Sequence, residues 1–201
     1  MNDEALKNSV YVWGSGIGTK HAAALPDRVH GIEGFGAIHV SLGSHHASCV
    51  TTTEHLFAWG ENEHGQLGKG DFNKRQVPRR LRSLCNVRVI KVSCGRRHTL
   101  CLTDEGVFGM GANSHGQLGL GVIESKNFKE PVRITNLGNA IYDIACGLSV
   151  SAAVTLQGEL MTFGSNNNGL LGNDNKHTGG SNSGDVAIPT IVAALQGRRV
   201  R

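Results

Sequence analysis

Gly43, Gly95 and Gly147 stand 52 residues apart, each inside the same phrase: "IHVSLGSHHASCVT", "IKVSCGRRHTLCLT" and "YDIACGLSVSAAVT". A chain that repeats itself at this period is built from stacked copies of one small unit, since a single unit cannot bury both its faces alone. A second phrase alternates with the first: "FAWGENEHGQLGKGD", "VFGMGANSHGQLGLGV" and "LMTFGSNNNGLLGNDN". "VYVWGSGIGTKH" begins the same way and then departs. A large apolar residue precedes the shared glycine each time: Trp13, Trp59, Met110 and Phe163. Trp13, Trp59 and Phe163 read as packing between units.

The unit reads as β. Ile38, Ile90 and Tyr142 lie five residues before the spaced glycines, and Val40, Val92 and Ile144 lie three before. Alternate positions share one side of a strand, so these six predict one buried face. Residues 47–51, 99–103 and 151–155 read as the next strand. Pro26, Pro78, Pro131 and Pro189 fall once per unit. A residue that cannot donate to a ladder predicts the start of an outer or edge strand. The 28 glycines fit a turn-dense fold. About four short strands per unit predict an all-β protein of propeller blades, each of four antiparallel strands, in an incomplete ring of three to four blades. The expected layout is an N-terminal tail over 1–9, a partial propeller over 10–195 with repeats starting near 10, 56, 107 and 160, the fourth truncated, and a basic end over 196–201. The polar stretch 173–187 reads as a flexible loop.

The glycine-rich stretch over 14–27 follows a strand but matches no phosphate loop. Thr19 precedes Lys20 where a P-loop needs glycine, and His21 stands where its hydroxyl belongs. It reads as a decayed copy of the "GENEHGQLG" loop.

The paired phrases "WGENEHGQLG" and "VSCGRRHTLCLTDEG" closely resemble the repeat of the regulator of chromosome condensation family, and the resemblance runs from Val10 to about Leu195. It implies a seven-bladed propeller, of which this chain supplies part. The founding member is an exchange factor for the small GTPase Ran and binds chromatin, while most relatives are adaptor or regulatory propellers. The exchange factor works through an inserted wedge, and the loops quoted above have plain repeat length. The expected function is therefore a non-catalytic interaction module that binds protein partners. Guanine-nucleotide exchange on a Ran-like GTPase with chromatin association is the alternative. A half-ring with open faces would also self-associate.

No chemistry-bearing cluster competes with this reading. His64 and His115 are repeat equivalents, as are His46 and His98, Cys94 and Cys146, and Cys49 and Cys101. Residues that recur once per blade are spread around a ring, so no metal, cofactor or catalytic site is expected. No apolar run approaches the roughly 20 residues that span a bilayer, and "MNDEALKNS" lacks the regions of a signal peptide. The chain reads as cytoplasmic or nuclear, without a membrane partner.

Recognition should fall to residues that vary at fixed loop positions: Ser44 and His45, Arg96 and Arg97, Leu148 and Ser149. Arg96 and Arg97 carry the most weight, because arginine offers forked donors to carboxylates. Arg79, Arg80 and Arg82 form a second, weaker basic patch, more simply read as solvated charge. The net charge of +4 fits an acidic partner without implying nucleic acid. Gly60, Gly65, Gly68, Gly95, Gly111, Gly116, Gly119, Gly147, Gly164, Gly169 and Gly172 are structural, and Asn62, Asn113 and Asn166 read as satisfying loop backbone.

Overall fold

The computed structural model describes residues 9–14, 23–138, 140–173 and 184–200. The glycine-rich residues 15–22, most of the expected N-terminal tail and residues 174–183 of the expected flexible loop lie outside this set.

The described chain is a stack of antiparallel sheets. Strands β1 (Tyr11–Gly14) and β2 (Ala23–Arg28) form a two-stranded sheet. β3 (Ala37–Leu42), β4 (His46–Thr51), β5 (Leu56–Gly60) and β6 (Arg75–Arg80) form the next, in sequence order. β7 (Val89–Cys94), β8 (His98–Thr103), β9 (Gly106–Asn113) and β10 (Glu124–Arg133) form the third. β11 (Ile141–Cys146), β12 (Val150–Thr155), β13 (Leu160–Gly164) and β14 (Val186–Ile191) form the fourth. The first strands β3, β7 and β11 touch one another from sheet to sheet. The sheets are offset by half a sequence repeat. A repeat counted from 56 takes the outer strands of one sheet and the inner strands of the next, and the two-stranded sheet is the first.

The core lies in the seams between sheets. Leu56, Ala58, Leu67 and Leu81 meet Val89, Val92, Cys101 and Met110 in one seam. Leu100, Val107, Leu118 and Ile134 meet Ile141, Ile144, Ala153 and Phe163 in the next. Trp59 packs with Phe57, Val29 and Ile32 in a third. Fully burying one such side chain is worth about 1.5–3 kcal/mol.

Two sequence expectations need correction. Ile38, Ile90 and Tyr142 are exposed rather than buried. Ala37 and His39 pair with the adjacent residues Thr51 and Val50, so Ile38 is the extra residue of a β-bulge, and Ile90 and Tyr142 occupy the same bulge in their sheets. An inserted residue inverts the alternation. Val89 and Val92, three apart, therefore share the buried face, as do Ile141 and Ile144. Val92 and Ile144 are 1% and 4% exposed, but Val40 is 43% exposed, because the sheet before it has only two strands. Trp13 departs for a related reason. Trp59, Met110 and Phe163 each pack against the preceding sheet, and among the described residues no sheet comes before the one formed by β1 and β2, which leaves Trp13 65% exposed. The prolines lie within the outermost strands rather than at their starts, in stretches where the ladder register shifts.

Polar bonds cross the seams at repeated positions. His46 and His98 are fully buried. His46 Nε2 lies 2.8 Å from Thr99 Oγ1 in the next sheet, and that hydroxyl donates to the Gln66 carbonyl. His98 Nε2 lies 2.9 Å from Ser151 Oγ, which donates to the Gln117 carbonyl. Each hydroxyl has spent its one proton, so each ring donates from Nε2. Nδ1 of both rings has no hydrogen-bond partner among the described residues. Burial, reinforced by the neighbouring histidine, pushes His46 down to about 4 and His98 down to about 3. The Cys94 and Cys146 amides add bonds to Ser41 Oγ and Ser93 Oγ of the sheet before.

Gly95 sits where the His98 ring and the next sheet both press in. A Cβ there would lie 2.3 Å from His98 Cε1 and 2.6 Å from the Gly147 carbonyl, whereas one on Gly147 would meet nothing nearer than Val150 at 3.8 Å. Gly95→Ala should therefore cost about 3 kcal/mol by overpacking, while Gly147→Ala should be neutral or stabilising by up to about 1 kcal/mol. Denaturant midpoints of the two variants check this.

The histidines also set a pH dependence. Their folded-state values lie below the ordinary 6.5, so stability is full above that pH and falls as the unfolded chain takes up protons the folded one refuses. Between pH 6.5 and 4.5 the two together should remove on the order of 5 kcal/mol. Replacing both by valine, the residue at the equivalent Val150, should flatten that slope in urea melts across the range.

Candidate partner-binding rim

Three two-residue hairpins join the innermost strands of successive sheets. Gly43, Gly95 and Gly147 close them by donating to the carbonyls of His46, His98 and Val150, at 2.8, 2.9 and 2.8 Å. Ser44 and His45, Arg96 and Arg97, and Leu148 and Ser149 stand at the tips. All are exposed except the half-buried Ser149.

Main-chain bonds hold these tips in place. The carbonyls of His45, Arg97 and Ser149 accept from the amides of Glu61, Ala112 and Ser165, at 2.8, 2.8 and 2.9 Å. The residue before each of those amides is Gly60, Gly111 or Gly164, all with φ between 104° and 107°. A Cβ on Gly111 would lie 2.4 Å from the Arg97 carbonyl, so both the conformation and the approach require glycine. Adjacent tips are tied together: the Ser44 amide donates to the Gly95 carbonyl and the Arg96 amide to the Leu148 carbonyl, each at 3.2 Å. The six candidate side chains therefore form one continuous row, held by main chain. Among the described residues, the Arg96 and Arg97 guanidinium groups make no hydrogen bond or ion pair.

The long loops at the same end are scaffold. Asn62, Asn113 and Asn166 accept from the amides of Leu67, Leu118 and Leu171. His115 Nδ1 lies 2.7 Å from Asp185, which also accepts from the Asn166 amide, so the end of the 173–187 stretch is clamped to two loops. The buried Cys49 and Cys94 and the half-buried Cys146 are poor nucleophiles and ligands, since desolvation lifts Cys94 to about 11 and Cys49 and Cys146 to about 12.

Arg79, Arg80 and Arg82 lie apart from this row, exposed along the outer strand β6 and the turn after it. Lys69 and Arg75 join them there, and sequence reasoning passed over both. Their signal was positional: Lys69 stands where the next two units carry Leu120 and Asn173.

Comparison with known proteins matches this geometry. Models described as the regulator of chromosome condensation (RCC1) repeat match residues 54–102 and 104–154, and again 37–66 and 89–117. Protein RCC2 of Homo sapiens is 39% identical over 130 residues, 64% of this chain and 25% of RCC2. The E3 ubiquitin-protein ligase HERC2 of Mus musculus is 32% identical across 96% of this chain and 4% of that protein. The chain thus spans a quarter or less of the length of these relatives. Among solved structures, yeast RCC1 (Prp20) bound to Kap60 superposes with a TM-score of 0.77 at 22% identity, covering 92% of this chain and 44% of that one. Human WBSCR16 superposes at 0.71 with 24% identity, covering 87% and 42%. The sheets are blades of an unclosed propeller, and the chain belongs to the regulator of chromosome condensation (RCC1) repeat family.

Proposed function

We propose that the chain is a non-catalytic interaction module that grips a protein partner with the row Ser44, His45, Arg96, Arg97, Leu148 and Ser149. The observation that carries this is the division of labour at the hairpin tips. Their backbone bonds recur from blade to blade, while their side chains change from Ser-His to Arg-Arg to Leu-Ser. A scaffold with fixed loop length and varied tips is how repeat proteins build recognition surfaces. Arg96 and Arg97, adjacent and without an ion pair among the described residues, suit an acidic partner segment. The family supports a protein ligand, and yeast RCC1 was solved with the protein Kap60 bound. No helix among the described residues is long and apolar enough to cross a membrane. The exposed Trp13 and Val40 fit a further propeller blade or a second copy stacking on the first sheets.

Arg96→Glu with Arg97→Glu should remove at least one specific partner from affinity capture while leaving the urea midpoint unchanged. An unaltered partner set would reject the rim. Exchange activity is the competing function. Release of fluorescent GDP from a panel of small GTPases should show no acceleration by the chain at micromolar concentration.

A further inference from the structure

A cavity of 600 Å³ opens on the outer edge of the β3–β6 sheet, and none of the six hairpin-tip residues lines it. Five cations line it, Lys69, Arg75, Arg79, Arg80 and Arg82, against one carboxylate, Glu130 of the next sheet. Asp71 also lies close, but its carboxylate is engaged by Arg75 at 2.6 Å. Lys69 Nζ donates to the Arg79 carbonyl, and among the described residues no ion pair engages Lys69, Arg79, Arg80 or Arg82.

The repeat shows that the fold does not ask for this charge. Aligned on Gly68, Gly119 and Gly172, Lys69 corresponds to Leu120 and Asn173. Aligned on Pro78, Pro131 and Pro189, Arg75 corresponds to Phe128 and Val186, Arg79 to Val132 and Thr190, and Arg82 to Thr135 and Ala193. Four positions that are neutral in both other complete sheets are cationic together in this one. Gathering like charges is costly. Burial, with Arg75 and Arg79 next, pushes Lys69 down to about 7, Arg82 adds to this, and Asp71 opposes it. An arriving anion relieves that repulsion.

We propose that this cavity is a binding site for a phosphoryl group, engaged by Lys69 as a point charge and by Arg79 and Arg82 as forked donors. Phosphate rather than a single carboxylate fits, because its double charge and three outward oxygens match several cations converging from different backbone positions.

The test is titration calorimetry of the 201-residue chain with inorganic pyrophosphate, and with a phosphoserine peptide beside its unphosphorylated twin. Lys69→Leu, Arg79→Val and Arg82→Thr borrow the residues of the next sheet, so the scaffold tolerates them. The expected result is saturable binding of at least one phosphorylated probe, weakened at least about tenfold by each substitution and changed less than about twofold by Arg198→Gln, an exposed arginine elsewhere. Binding of the peptide alone assigns the phosphoryl group to a protein, and binding of pyrophosphate alone assigns it to a small ligand. No saturable binding of either probe, or equal weakening by Arg198→Gln, overturns the site.

Discussion

A buried histidine under two of the three hairpin tips reaches across a seam into the next sheet, and the rest of the molecule is arranged around that reach. His46 and His98 donate to hydroxyls whose own protons go to loop carbonyls of Gln66 and Gln117. One chain of polar contacts thereby fixes an inner strand, its neighbour in the following sheet and a long loop. The apolar seam supplies most of the stabilisation, but apolar contact alone would let one sheet slide on the next. The directional bonds set the register, and burial keeps each ring neutral.

That constraint explains the distribution of function. The hairpin main chain bonds to its own sheet and to the next, and those bonds recur from sheet to sheet. What changes is side chain: the tips on the inner side, and the outer strand on the other. The chain varies both. Arg96 and Arg97 replace smaller residues at one tip, and the cations around Lys69 replace neutral residues on one outer edge. Both departures stand out because the same fold, a few residues away, does without them.

Much of this was legible in the sequence because repetition separates what the scaffold needs from what it permits. The four-stranded units, the glycines beside the tips and the loop asparagines could be read from recurrence alone. Ile38, Ile90 and Tyr142 misled because a bulge, which has no sequence mark of its own, inverts the side on which they point. Val40 and Trp13 matched their equivalents in chemistry but not in surroundings, since exposure depends on whether a neighbouring sheet is there. The half-repeat offset escaped for a different reason. The most distinctive phrase, "GENEHGQLG", belongs to a loop within a sheet, while the links between sheets carry no signature. Lys69 was missed because charge at one loop position means little until the fold brings β6 beside it.

The seam can be read directly by nitrogen-15 NMR of the imidazole rings. The account predicts that His46 and His98 carry their proton on Nε2 and remain neutral down to about pH 5, well below the ordinary histidine range. Rings protonated on Nδ1 alone would mean that the bonds across the seams are not made, and rings both charged by pH 6 would mean that the seams are not dry; either result contradicts the account.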